Sequence, residues 1–242
     1  MQAEGKPILD IRGVSKSFGG IHAVQDCSLA VNQGSIVGLI GPNGSGKTTL
    51  FNLLTGVDSI DSGKIYFKGE EISHLRTFEI ARRGLCRTFQ EMRLFWKLSA
   101  FDNLVAAGLE WLSPSAEDRA IEVLSFIGLQ ELMYKPASEF SFGQQRLLQL
   151  GIVLMGGANL ILLDEPTSGV NPKMIDGLLQ YIKEIREKEQ KTFFVVEHNM
   201  YVIMSICDYV YVLDEGQKIA EGIPNEIEKN DKVIAAYFGK KK

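Results

Sequence analysis

Cysteine is scarce in this chain. There are three, Cys27, Cys86 and Cys207, far apart and without a C-x-x-C pair. That excludes a disulfide framework and a paired-thiol zinc site, and it suits a reducing compartment. A basic surface is missing too: 26 Lys and Arg stand against 30 Asp and Glu, a formal charge of -4. A protein that grips nucleic acid through its surface needs a dense positive face, so no nucleic-acid partner is expected. The one basic run, Lys240-Lys241-Lys242, reads as a solvated terminus. Long hydrophobic runs are also absent. The most apolar stretch, Gly151 to Leu163, is broken by glycines and too short to span a bilayer, and Met1 to Pro7 lacks the apolar centre of a signal peptide. Any link to a membrane is therefore expected to run through a partner. No internal repeat, low-complexity tract or extended heptad pattern is evident.

What is present is enough apolar material, 45% of 242 residues, to bury a core without staples in one large domain or a domain plus a subdomain. Alternation at Ile8, Asp10 and Arg12, and again from Val24 to Val31, predicts half-buried antiparallel strands. Continuous apolar runs at Ser35 to Ile40, Leu160 to Leu163, Thr192 to Val196 and Tyr209 to Leu213 predict fully buried strands. Helical patterns at Lys173 to Lys188 and Met200 to Ile206 separate them, which implies a mainly parallel α/β sheet. Between about Phe101 and Gly151 helical periodicity takes over, with breaks at Pro114 and Pro136 and Ser115 as an N-cap. The expected organisation is one domain: an α/β core with an antiparallel part over residues 1–90 and 157–242, and a helical subdomain over about 91–156.

Gly41-Pro42-Asn43-Gly44-Ser45-Gly46-Lys47-Thr48 satisfies G-x-x-x-x-G-K-[ST] between the buried strand ending at Ile40 and an apolar helix, Thr49 to Leu54. Glycines let such a loop curl so that its N–H groups face phosphate oxygens, at the positive end of the helix that follows. Lys47 is expected to reach the β- and γ-phosphates and Thr48 to ligate Mg²⁺. The strand Leu160 to Leu163 delivers Asp164 and Glu165 at its C-terminal end, where ligands of parallel sheets gather. Asp164 suits the metal ion; Glu165 suits the water that attacks the γ-phosphate. No N-K-x-D element for guanine follows, which disfavours a GTP-binding switch.

These motifs, in this order, resemble the nucleotide-binding subunits of ATP-binding-cassette transporters over nearly the whole chain. The resemblance implies a P-loop NTPase fold and ATP and Mg²⁺ as ligands. Gln90, in Thr88-Phe89-Gln90, resembles the family glutamine that touches Mg²⁺ and the attacking water. Ser141-Phe142-Gly143-Gln144-Gln145 resembles the signature segment, which opens a helix and faces the γ-phosphate held by a second subunit; Ser141, Gly143 and Gln144 would make that contact. Phe142 departs from the usual glycine. Ser168-Gly169-Val170-Asn171 stands where the family has a loop that touches the partner and usually ends in aspartate. His198 resembles the switch histidine that orients Glu165 and water, and Phe18 the aromatic that stacks on adenine. The resemblance also implies that Thr49 joins the phosphate-binding set.

As partners the resemblance implies a second ATPase subunit, identical or related, transmembrane permease subunits, and a periplasmic or extracellular solute-binding protein. The location it implies is cytoplasmic, peripheral on the inner face of the membrane. Val196-Glu197-His198-Asn199-Met200 and Ile219-Ala220-Glu221-Gly222-Ile223-Pro224 look like the branched-chain amino-acid uptake branch, its histidine-bearing ATPase subunit, although the helical insert is shorter than is common there. Relatives with similar endings serve urea, short amides or lipopolysaccharide export. A soluble relative acting in DNA repair or translation would carry two cassettes or coiled-coil insertions. A silent regulatory cassette would lack Lys47, Glu165 or His198. The apolar run Met92, Leu94, Phe95, Trp96, Leu98 is expected either to line a groove for a permease helix or to pack within the helical subdomain.

Overall fold

The computed structural model describes residues 6–88, 93–112 and 115–238. Strands β1 (Pro7–Phe18) and β2 (Ile21–Asn32) form a long antiparallel hairpin, closed by a two-residue turn between Phe18 and Ile21. Together with β4 (Ser62–Phe67) and β5 (Glu70–Glu71) they make a four-stranded antiparallel sheet in the order β2-β1-β4-β5.

The second sheet has six strands. Its centre is β3 (Ile36–Ile40), flanked by β8 (Thr192–Val196) and β9 (Tyr209–Asp214), and beyond β8 come β7 (Leu160–Asp164) and β6 (Leu85–Arg87). All these pairs are parallel; only the edge strand β10 (Gln217–Gly222) runs antiparallel, against β9. Every residue of β3, β7 and β8 is buried, and the register explains why these runs are continuously apolar. Alternate side chains enter two different cores: Ile36, Ile40, Ile161, Leu163, Phe193 and Val195 face one, and Val37, Leu39, Leu160, Leu162, Phe194 and Val196 face the other.

The second of these cores is closed by the antiparallel sheet and by α1 (Lys47–Leu54), whose Leu50, Phe51, Leu53 and Leu54 all point inward. The first is closed by helices: α3 (Ala100–Leu112), α4 (Ala116–Phe126) and α5 (Phe142–Met155) pack on one another, and α6 (Pro172–Glu189) and α7 (Met200–Ile206) cover the sheet. Arg119 Nη2 of α4 donates to both carboxylate oxygens of Glu189 at the end of α6, at 2.7 and 2.8 Å. Ser115 stands at the N-cap position of α4. Short α2 (Thr77–Arg82), α8 (Pro224–Glu228) and α9 (Asp231–Phe238) complete the chain. Among the described residues, no helix is long and apolar enough to cross a membrane.

The predicted strands and helices are present, with α1 beginning at Lys47, inside the glycine loop. Strands β4, β5, β6 and β10 had no apolar run to mark them: β5 is two glutamates, and β4 opens on three exposed residues.

Candidate nucleotide site

Because β3, β7 and β8 are parallel and in register, Ile40, Asp164 and Val196 end at one edge of the sheet. The loops that leave this edge carry the chemistry. Residues 41–46 curl from β3 into α1 with Gly41, Gly44 and Gly46 at positive φ. At Gly41 a Cβ would come 2.0 Å from the carbonyl oxygen of Leu213, and at Gly46 2.2 Å from that of Ala23, so neither position tolerates a side chain.

Lys47 is buried and folds back over the loop. Its Nζ donates to the carbonyls of Gly41 and Pro42, each at 2.8 Å, and contacts Ser45 Oγ at 3.4 Å. Burial pulls its ammonium below the ordinary lysine range, and the nearby charges of Glu165 and Asp164 oppose that. A buried cation hydrogen-bonded to backbone carbonyls, in a loop drawn tight at Gly41 and Gly46, is a cradle suited to a polyphosphate. Asn43 to Thr49 line a cleft of 530 Å³, and Glu165 lines it too.

Glu165 follows β7 with φ at +46°, an uncommon conformation for a branched-free carboxylate residue and a costly one. Its N–H donates to Val196 O at 2.9 Å, which ties the end of β7 to the end of β8. His198, two residues beyond, places Nδ1 3.6 Å from Glu165 Oε1. Asp164 is buried, with Oδ2 2.5 Å from Arg87 Nη2 of β6; the same guanidinium donates to Asn52 of α1 at 2.7 Å.

Among the described residues no group of three or more His, Cys, Asp and Glu could hold a metal ion. Mg²⁺ bound to a nucleotide needs no such group, because phosphates and water supply most of its oxygens. Thr48 lines the cleft, and Asp164 ends the neighbouring strand with one carboxylate oxygen on Arg87. Gln90 and Phe89 lie outside the described residues, as do Met92 and the lysine tail.

The signature segment sits elsewhere. Ser141 caps α5: its Oγ accepts from Gln144 N at 3.4 Å, while Gln144 Oε1 accepts from Ser141 N at 2.9 Å. Gly143 is buried, and a Cβ there would strike Met174 of α6 at 2.4 Å. The outer edge of the Phe142 ring meets Gly169, 3.0 Å from where a Cβ would be, and the Arg146 guanidinium lies over the ring at 5.3 Å. The aromatic departure thus joins α5 to the loop 168–171. Asn171 caps α6 through Lys173 N at 3.0 Å, ahead of Pro172 at the first helical position.

Among the described residues, neither Ser141 to Gln144 nor Phe18 lines the cradle cleft; Ile21, His22, Ala23, Gln25 and Glu215 do. Phe18 lies on the same hairpin, exposed, with Lys16 Nζ 5.3 Å from its ring. Of the apolar run before α3, Leu94 is buried, while Phe95, Trp96 and Leu98 are exposed.

Similarity to known proteins agrees with this geometry. Residues 24–168 match the family model described as ABC transporter. The chain belongs to the ABC transporter ATP-binding family. Residues 217–242 match a second model, described as branched-chain amino acid ATP-binding cassette transporter. The cassette is 38% identical to the high-affinity branched-chain amino acid transport ATP-binding protein BraF of Pseudomonas aeruginosa, covering 97% of this chain and 98% of that one. It is 37% identical, with the same coverage, to LivG of Escherichia coli, which carries the same description. Among solved structures it resembles the ADP conformation of MJ1267, an ATP-binding cassette of an ABC transporter: 30% identity, TM-score 0.88, 98% of this chain and all of that one. A nucleotide-free cassette from an ABC transporter is as similar, with TM-score 0.88 and 30% identity over 97% of this chain and all of that one.

Proposed function

We propose that this cassette hydrolyses ATP to drive a membrane transporter that imports branched-chain amino acids or related small solutes. The observation that carries the hydrolytic part is the convergence of Lys47, Glu165 and His198, from three separate loops, on one edge of the sheet, with Glu165 lining the cradle's own cleft. The solute class rests on the match of residues 217–242 and on the names of the two relatives.

In this reading the N–H groups of 43–48 and the Lys47 ammonium bind the β- and γ-phosphate oxygens, and Thr48, Asp164 and Gln90 hold Mg²⁺. The ion, when bound, neutralises phosphate charge. Glu165 accepts a proton from the attacking water as the bond from phosphorus to the ADP oxygen breaks and its electron pair leaves with ADP. His198 orients Glu165 and contacts the γ-phosphate; Phe18 stacks on adenine from the hairpin.

Ser141, Gly143 and Gln144 are not among the described residues that line the cleft of their own subunit, and in this reading they complete the cleft of a second cassette in a head-to-tail pair. ATP then adds contacts that close the pair, and phosphate loss removes them. That motion is passed to permease subunits, which place the cassette on the cytoplasmic face of the membrane and receive solute from a binding protein.

Phosphate release from Mg·ATP by the full chain tests the first part. Glu165→Gln should retain ATP and lower turnover by about 10² to 10⁴-fold. Turnover at the unaltered rate would overturn the assignment of the base. For the solute, the complex reconstituted with its permeases in vesicles should hydrolyse ATP faster when leucine and its binding protein are supplied; stimulation by urea alone would overturn it.

A further inference from the structure

Glu197 lies between β8 and His198 and has no part in the chemistry described above. It is fully buried, with 0% of its surface exposed. A carboxylate in such a place needs its acceptor sites filled. Oε1 takes two bonds from Thr167, from N at 3.0 Å and from Oγ1 at 2.6 Å. Oε2 faces the N–H groups of His198 at 3.2 Å and Asn199 at 3.4 Å.

The two oxygens therefore hold two different loops. Thr167 is two residues past Glu165, in the loop that leaves β7; His198 and Asn199 open the loop that leaves β8. Backbone pairing ends at Asp164 with Val196, and the Glu165 N–H bond to Val196 O is the last link of that ladder. Past it, the Glu197 side chain continues the connection. Arg146, buried in α5, contributes positive charge in a region it shares with Asp164, Glu165 and Glu197.

We infer that Glu197 is a positioning residue, which by clamping Thr167 to the His198–Asn199 backbone sets the approach of His198 to Glu165. This rests on the hydrolytic reading for its catalytic consequence, but not for its geometric one. The clamp depends on two acceptor oxygens. Glu197→Gln keeps the shape and replaces one of them with a donor that faces N–H groups, so one loop is released.

Two measurements on the full-length chain test it. In the first, the ring Nδ1 resonance of His198, one of three histidines, is followed by NMR. It is expected to move in Glu197→Gln to the position it takes in Glu165→Gln, where the partner carboxylate is gone; an unmoved resonance overturns the inference. In the second, Glu197→Gln is expected to lower kcat about tenfold or more with KM for ATP within about twofold, and to lose that effect in a His198→Ala background. An equal loss of kcat with and without His198 would mean a merely structural role and overturn it. Thr167→Val, which removes only the Oγ1 donor, is expected to act in the same direction more weakly, and it serves if Glu197→Gln fails to fold. If the unaltered chain releases no phosphate, the hydrolytic reading falls, and the resonance of His198 still decides the clamp.

Discussion

Asp164, proposed above for Mg²⁺, also ties parts of the fold together. Its buried pairing with Arg87 fastens β6 to β7 and, through Asn52, both to α1. Removing one member of a buried ion pair strands the other, at a cost of about 3–5 kcal/mol. Arg87→Ala is therefore expected to lose stability of that order in urea unfolding, and Mg·ATP should recover part of it by returning positive charge to Asp164. An unchanged unfolding midpoint would show that the pair contributes nothing. The glycines of the loop were legible because backbone packing limits what can stand there: a Cβ at Gly41 or Gly46 would strike the carbonyl of Leu213 or Ala23. Arg87 and Glu197 were not. Each is an ordinary charged residue in sequence, and its importance comes from partners 77 and 30 residues away. A signal for Glu197 did exist: it stands at the end of an apolar strand, as Asp164 does.

At the scale of elements, α5 carries the signature segment on a capped end. The reciprocal bonds between Ser141 and Gln144 satisfy donors that the first turn would leave orphaned. Ser141→Ala should cost about 1 kcal/mol, read as a lower unfolding midpoint, in addition to any loss of turnover. A full-strength helix with reduced turnover would separate the cap from the phosphate contact. Buried strands were easy to read because both faces of the parallel sheet have cores. Strands β4, β5 and β10 were hard, because an edge or solvent-facing strand gets its shape from neighbours rather than from its own apolar pattern.

The cysteines report on the whole molecule. Burial pushes Cys27 and Cys86 up to about 11, and Cys207 higher still. A thiol attacks as its thiolate, so all three should resist alkylation at pH 7.5 and react together only in urea. Rapid labelling of the folded chain would contradict the packing of both cores. Assembly has its own test. Lys47→Ala spoils the cradle and Ser141→Arg the helix tip, so each alone should be inactive. In a head-to-tail pair of the two variants one composite site is intact, and mixing should restore at most about a quarter of the original turnover. A mixture as inactive as its components would exclude sites shared between chains.

The sequence by itself determined the glycine-rich loop, the buried strands that frame it and the acids that follow one of them. These depend on local rules, namely the space around a backbone, the period of a strand and the turn that opens a helix. Only the tertiary structure decided that Phe142 seats on Gly169, that Arg87 holds Asp164, and that Glu197 joins the loops of Glu165 and His198. Those contacts link segments far apart in the chain. No local pattern encodes them, because a buried charge can be satisfied by whichever distant donor the fold brings within reach.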